Sequence, residues 1–351
     1  MHIDNIKLIN FRLFESLHFS PSSKANVIIG ANATGKTSLL ESIYLLARNR
    51  SFRTKNNVSL INKNAQELII SANLIKDCGT NFHLGLKKTK SQTELHIAGQ
   101  KQRRVSDQAR LIPLGIVTAN IQRLFTDGPN IRRKFINWGV FHVEHEYATI
   151  MNTYNKILMQ RNTALRSGKG FYKVWDIQFV EYGNIIDQLR KNYFKHFQCI
   201  FKKLIKNYDS FADIEIQYKQ GWNKEKKLIE AIKGKNDSHL QYTASGPHRA
   251  DIGIYINNNS AVEVLSNGQL KILSILFVIA QLILIQQFTN ERPIVLFDDI
   301  ASEIDEENKR RILQLIISLD YQSFITTLDN DFNRNEMLES QVFHVEHGEI
   351  F

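Results

Sequence analysis

A chain of 351 residues, 43% of them hydrophobic, can bury a full core and divide into two domains, which excludes a disordered or fibrous polymer. Its 45 Lys and Arg against 35 Asp and Glu leave a formal charge of +10, which favours polyanions such as nucleic acid or an anionic membrane surface. The two cysteines, Cys78 and Cys199, lie far apart and outside any C-x-x-C spacing, which argues against a disulfide framework or zinc ribbon and for a reducing cytoplasm.

The opening Met1-His2-Ile3-Asp4-Asn5 places an acid where a signal peptide carries positive charge, so no export is expected. Residues 1–112 read as short strands, at 6–9, 26–29, 67–74 and 81–86, interrupted by one strong helix from Thr37 to about Asn49. From Asn130 to about Asn207 the pattern turns helical, with Phe135, Trp138, Tyr154, Ile157, Ile186 and Leu189 recurring at three- and four-residue intervals. Residues 252–264 read as a hairpin around Asn257-Asn258-Asn259. The apolar run Ile272 to Ile285, broken by Ser274 and Gln281, falls short of the roughly 20 residues a bilayer requires and reads as a buried helix, so no membrane partner is expected. An α/β pattern then returns, with a strand at 294–297, a helix from Asp305 to about Ser318 and a strand at 323–326. A five-residue repeat, Phe141 to His145 and Phe343 to His347, would suit a metal only if both His-x-x-His pairs were helical. The second copy precedes Gly348 and reads as a terminal hairpin, so coincidence is the better account.

The sharpest signal is Gly30-Ala31-Asn32-Ala33-Thr34-Gly35-Lys36-Thr37, which fits G-x-x-x-x-G-K-[ST]. It follows a strand of branched residues and opens a helix, so backbone N–H groups and the helix dipole face a phosphate chain, as ATP requires. Lys36 is expected to reach the β- and γ-phosphates, and the Thr37 hydroxyl to ligate Mg²⁺. The run Ile294-Val295-Leu296-Phe297-Asp298-Asp299 supplies a Walker B strand: Asp298 for the metal, Asp299 to orient the attacking water. Between them, Leu265-Ser266-Asn267-Gly268-Gln269 is ordinary N-cap chemistry when taken alone, but with the other two motifs it resembles the signature of ABC-type ATPases, so Ser266, Gly268 and Gln269 join the expected nucleotide contacts. Ser302-Glu303-Ile304-Asp305 resembles their D-loop. A transporter nucleotide-binding subunit would call for a glutamine loop and a switch histidine, of which only Gln122 is a candidate, and a small-molecule P-loop kinase has no use for the Ser266 turn.

Further motifs make the whole chain similar to the bacterial RecF family of SMC-like ABC ATPases. They are Asn10-Phe11-Arg12, Leu39-Leu40-Glu41-Ser42-Ile43-Tyr44, Arg50-Ser51-Phe52-Arg53, Gly128-Pro129 with Arg132-Arg133-Lys134-Phe135, Arg161-Asn162, Val174-Trp175-Asp176 and Gly246-Pro247-His248-Arg249. The resemblance implies an α/β fold: an ABC-type P-loop ATPase head with mixed sheets around a central P-loop helix, plus an inserted, mostly helical lobe. The expected bounds are 1–112 with 290–351 for the ATPase lobe and 113–289 for the helical lobe carrying the signature. It further implies an ATP-dependent homodimer that engages single-stranded and gapped or junction DNA in the cytoplasm. In that reading the chain is a weak DNA-dependent ATPase whose slow hydrolysis of ATP to ADP and phosphate drives release, and the protein aids recombinase loading and SOS induction with RecR and RecO as partners. Asp299, where many ABC ATPases carry Glu, shortens the reach to water and implies slow hydrolysis, while Ala250 interrupts the expected His-Arg-Asp-Asp and leaves Asp251 alone. Five basic clusters are candidates for phosphate contact: Arg103-Arg104, Arg132-Arg133-Lys134, Lys202-Lys203 with Lys206, Lys224 with Lys226-Lys227, and Lys309-Arg310-Arg311. No base-reading helix or stacking platform is legible, so sequence-independent recognition is expected.

Overall fold

The computed structural model describes residues 1–102, 105–168, 171–234, 237–299, 304–327, 340–346 and 348–351. The chain divides into two compact units, residues 1–121 with 285–351, and residues 122–284.

Among the described residues, the first unit holds two six-stranded sheets. One is antiparallel, in the order Phe14–Phe19, His2–Phe11, Glu67–Ile75, Asn81–Thr89, Thr93–Ile97, Gln100–Gln102. Strict alternation of buried and half-buried positions along Glu67–Ile75 gives this sheet one core face. The other runs Glu349–Ile350, Gln341–Glu346, Ala25–Ile29, Ser323–Thr327, Ile294–Asp298, Leu114–Val117, parallel except at its terminal hairpin. Its central strands are buried along nearly their whole length because parallel strands are covered on both faces.

The helix Lys36–Arg48 packs against strands of both sheets, and every residue from Ser38 to Ala47 is buried. A helix with so much of its surface covered belongs to the middle layer, and its polar Ser38, Glu41 and Ser42 are buried along with its apolar residues. It ends where Asn49 turns left-handed (φ +53) and returns its N–H to Leu45 O at 2.8 Å.

In the second unit the helices Pro129–Val143, Tyr147–Arg166 and Asp176–Ile205 accompany a three-stranded antiparallel sheet, Asn259–Ser260, Asp251–Ile256, Ile214–Lys219. Phe135, Phe197 and Phe201 pack around Phe277 with ring centroids 5.9, 5.1 and 4.5 Å away.

Several expectations are corrected. Residues 113–121 fall in the first unit, because Leu114–Val117 pairs in register with Ile294–Phe297 and so completes its sheet. The stretch expected to hold strands and turns also holds a short helix, Val105–Leu111. The second arm of the hairpin is two residues long and passes at once into the helix Ala261–Val264. The apolar helix spans Asn267–Thr289, 23 residues, long and apolar enough by length and composition to cross a bilayer, yet most of it is buried within the protein. Of the Phe-His-Val-Glu-His repeat, the first copy closes the helix Pro129–Val143, the second lies in the strand Gln341–Glu346, and His347 is outside the described residues.

Candidate nucleotide site

The loop from Gly30 to Gly35 joins the end of the strand Ala25–Ile29 to the helix Lys36–Arg48. Its curl depends on left-handed backbone at Ala33 (φ +66) and Gly35 (φ +122). Gly30 is required by close approach, since a Cβ there would lie 2.5 Å from Val345 O. No side chain caps the helix start at Gly35, and its first turn contains no acid, so the free N–H groups and the positive end of the dipole face outward toward an anion. The Lys36 amine folds back over the loop and donates to Gly30 O at 2.5 Å and Ala31 O at 2.8 Å, and Thr34 Oγ1 donates to Ala31 O at 3.0 Å. Burial lowers the Lys36 pKa from its ordinary value, while Asp299 and Asp298 raise it.

Parallel register brings the distant partners to this loop. Ile28 lies opposite Thr326, and Thr326 opposite Asp298, so three neighbouring strands end together below the helix start. Thr37 Oγ1 donates to Asp298 Oδ1 at 2.9 Å, and Thr326 Oγ1 approaches the same oxygen at 3.2 Å. The Asp299 N–H donates to Thr326 Oγ1 at 3.0 Å, while Asp299 itself adopts left-handed backbone (φ +57) that turns it out of the strand direction. Burial raises the Asp298 pKa, opposed by the hydrogen bonds from Thr37 and Thr326 and by the charge of Arg53. A threonine hydroxyl and a carboxylate that share one hydrogen bond are hard oxygen donors of the kind Mg²⁺ selects, so these residues fit the metal.

A cleft of about 600 Å³ opens over the loop, lined by Asn32, Lys36, Thr37, Asp298, Asp299, Thr326 and Thr327 and also by Arg12, Arg53 and Lys63. The three cations and Thr326 were not assigned to the site from sequence. Arg12 grips Glu41 with two bonds of 2.9 Å, and Glu41, fully buried on the P-loop helix, also accepts from Ser51 Oγ. The sequence signal for them is charge: Arg12, Arg53 and Lys63 flank the helix Lys36–Arg48, whose one acid is Glu41.

In the second unit the structure gives the Ser266 turn its local chemistry. Ser266 Oγ accepts from Gln269 N at 3.3 Å and Gln269 Oε1 accepts from Ser266 N at 3.0 Å, a reciprocal capping box that opens the helix Asn267–Thr289. Ser266 and Asn267 are exposed and Gly268 is half-buried. Asp305 caps the helix Glu306–Ser318 by accepting from Asn308 N at 2.9 Å, whereas Ser302 and Glu303 lie outside the described residues.

The basic clusters divide. Arg103 and Arg104 lie outside the described residues. Half-buried Arg132 is committed to Asp251 by bonds of 2.7 and 3.1 Å, and half-buried Arg133 donates to Ala250 O at 3.0 Å, so both are tied to a segment of their own unit. Lys309 and Arg311 pair with Glu306 and Glu307 one turn away. Lys202, Lys203, Lys206, Lys224, Lys226 and Lys227 are exposed.

Two sheets enclosing a P-loop helix, with a Walker B acid hydrogen-bonded to the P-loop threonine, define an ABC-type ATPase head. The profile of the RecF/RecN/SMC N terminal domain matches residues 2–350. A protein of Pseudoalteromonas translucida (strain TAC 125), called DNA replication and repair protein RecF, is 35% identical, with 100% of this chain and 99% of that one covered. Its namesake from Hahella chejuensis (strain KCTC 2396) is 33% identical, again over 100% and 99%. The solved structure of the recombination mediator protein RecF-ATP in the RecFOR pathway shares the fold with a TM-score of 0.87 at 22% identity, covering 100% of this chain and 97% of that chain. An Smc head bound to the C-winged helix domain of ScpA follows at 0.60 and 17%, covering 100% and 96%. The chain belongs to the RecF family.

Proposed function

We propose that this chain is an ATP-dependent DNA-repair clamp: it binds ATP at Gly30 to Thr37, pairs with a second copy through the bound triphosphate, and holds DNA until hydrolysis releases it. The observation that carries the reading is the 2.9 Å bond between Thr37 and Asp298 beside an uncapped helix start in one cleft, an arrangement that suits a phosphate chain and its metal. The family relatives named for DNA replication and repair, and the relative solved with ATP, support the same conclusion.

Lys36 is free to exchange its two loop carbonyls for phosphate oxygens, which raises affinity for the charged ligand. Bound Mg²⁺, held by Thr37 and Asp298, would neutralise phosphate charge. Asp299 orients water from a left-handed turn, with a side chain one methylene shorter than Glu, so hydrolysis is slow. Ser266 keeps its hydroxyl proton available while its oxygen caps the helix; with Gly268 and Gln269 it closes over the γ-phosphate held by the other copy. ATP then acts as a ligand that favours the paired state, and its loss dissolves the pair. On this reading the first unit is the ATPase lobe and the second the signature-bearing lobe. The cell uses the clamp at single-strand gaps and junctions, in recombinase loading and SOS induction with RecR and RecO, in the cytoplasm.

The test is sedimentation with a slowly hydrolysed ATP analogue, with and without DNA. Wild type should shift from monomer to dimer; Lys36→Met should remove the shift by removing nucleotide binding; Ser266→Arg should bind nucleotide and remain monomeric. Monomers throughout, with nucleotide bound, overturn the clamp.

A further inference from the structure

The second unit directs several buried and half-buried polar side chains at one short segment, residues 243–251. Arg161, 1% exposed, pairs with Asp176 and Asp237 and also donates to Thr243 Oγ1 at 2.7 Å, while Asn162 Oδ1 accepts from Thr243 N at 2.8 Å. Tyr154 OH meets His248 Nδ1 at 2.7 Å, and Arg190 donates to Pro247 O at 2.7 Å. With Arg133 on Ala250 O and Arg132 on Asp251, the helices Pro129–Val143, Tyr147–Arg166 and Asp176–Ile205 all hold the segment.

The opposite flank is closed by backbone alone. Gly246 N donates to Gly221 O at 3.3 Å, and a Cβ on Gly221 would lie 2.3 Å from Gly246 O. Gly246 adopts φ +141, where a Cβ would come within 2.9 Å of Phe179 and Tyr154. Burying this many polar groups is costly unless each is satisfied, and such a network specifies one backbone geometry.

What the clamp leaves outside is Arg249. Its side chain is exposed, and the guanidinium carbon lies 5.1 Å from the Tyr242 ring centroid, itself 42% exposed. Through Gly221 the segment adjoins the loop 221–227, whose Lys224, Lys226 and Lys227 are exposed beside Trp222, an indole tied by its N–H to Lys226 O at 3.2 Å. The three lysines and Trp222 line a cleft of about 290 Å³. Asp187, paired with Lys191, also lines this cleft, Glu225 is exposed between Lys224 and Lys226, and Glu230 Oε2 accepts from the Lys227 N–H at 3.2 Å, so the loops carry four cations beside three carboxylates.

We infer that the adjoining loops 221–227 and 246–249 form a phosphodiester-backbone site, with Arg249 as its fixed guanidinium and Lys224, Lys226 and Lys227 as mobile charges beside it. A guanidinium on a clamped backbone loses little freedom on binding and matches the oxygens of a phosphate with its fork. Cations spread over two loops suit a repeating polyanion better than a single phosphate group, and nothing in the arrangement reads base edges. The inference locates DNA contact for the clamp proposed above and rests on its DNA-binding part, not on its nucleotide site.

The test is fluorescence anisotropy of the full chain with a short labelled duplex over a range of salt concentrations. Each lost phosphate contact lowers the slope of log affinity against log salt by about 0.9. Arg249→Gln should therefore lower the slope by about 1, and the triple variant Lys224→Gln/Lys226→Gln/Lys227→Gln by about 2 to 3. The control Lys90→Gln/Lys156→Gln/Lys173→Gln removes equal charge from other exposed segments and should retain the wild-type slope. Slopes unchanged in Arg249→Gln, or lowered equally by the control, overturn the site. Wild type that fails to bind duplex overturns the site together with DNA binding, while ATP binding at Lys36, read separately, stands or falls by itself.

Discussion

Protonating His248 should loosen the clamp that presents Arg249, and the size of the effect follows from its surroundings. Its Nδ1 accepts from the Tyr154 hydroxyl at 2.7 Å and its Nε2 donates to Thr243 O at 3.0 Å, an arrangement that needs the neutral ring. Burial lowers its pKa to about 4 from the ordinary 6.5, and the charges of Arg249, Arg133 and Arg190 push the same way against the Thr243 bond. Because the folded pKa is the lower one, the stabilisation is complete above pH 6.5. It is lost as pH falls toward 4, where the unfolded chain takes up a proton that the folded chain refuses. At about 1.4 kcal/mol per pH unit, the whole window is worth about 3 kcal/mol. Urea unfolding of wild type and His248→Gln should be compared from pH 7.5 to 4. A glutamine amide also accepts and donates but does not titrate, so the wild type's advantage should shrink by about 3 kcal/mol across the window, with carboxylate titration cancelling between the two proteins. Parallel stability curves would refute the reasoning.

Asp298→Asn keeps a hydrogen-bonding oxygen for Thr37 and Thr326 and removes the metal-binding charge, so thermal stability should hold while nucleotide-induced stabilisation ceases to respond to Mg²⁺ or to chelator in a thermal-shift titration. Glu41→Gln leaves the half-buried Arg12 guanidinium without its carboxylate, and denaturant unfolding should show a loss of about 3 kcal/mol; a loss near zero would mean that the pair is screened by solvent. Gly246→Ala meets both a φ of +141 and contacts of 2.9 Å with Phe179 and Tyr154, so unfolding should cost about 2 to 3 kcal/mol, whereas an effect within a few tenths would show that the segment is free to shift.

The motifs that were legible in advance are those whose geometry is made locally. Gly30 to Thr37 is a strand end, a turn and a helix start within eight neighbours, so spacing alone implies a phosphate cradle. The capping chemistry of Ser266 and Gln269 was visible for the same reason. Thr326 could not be assigned to the site because a threonine at a strand end carries no local signal; register sets it between Ile28 and Asp298. The pairing of Arg132 with Asp251, 119 positions apart, and the bond from Arg133 to Ala250 O were equally hidden, and they tie both arginines to their own unit. The boundary of the second unit shifted because Leu114–Val117 is too short to announce its sheet partner.

Sequence by itself therefore determined the chemistry of the P-loop, the acid pair at 298 and 299, and the alternation of strands and helices, because each depends on residues a few positions apart. Tertiary structure alone decided which cations remain outside. Arg132, Arg133, Arg161 and Arg190 are consumed by carboxylates, carbonyls and hydroxyls brought from distant segments, whereas Arg249 and Lys224, with the same charge, keep theirs at the surface. The physical reason is that a charge is internal or available according to its partners, and partners are chosen by packing in space rather than by order along the chain.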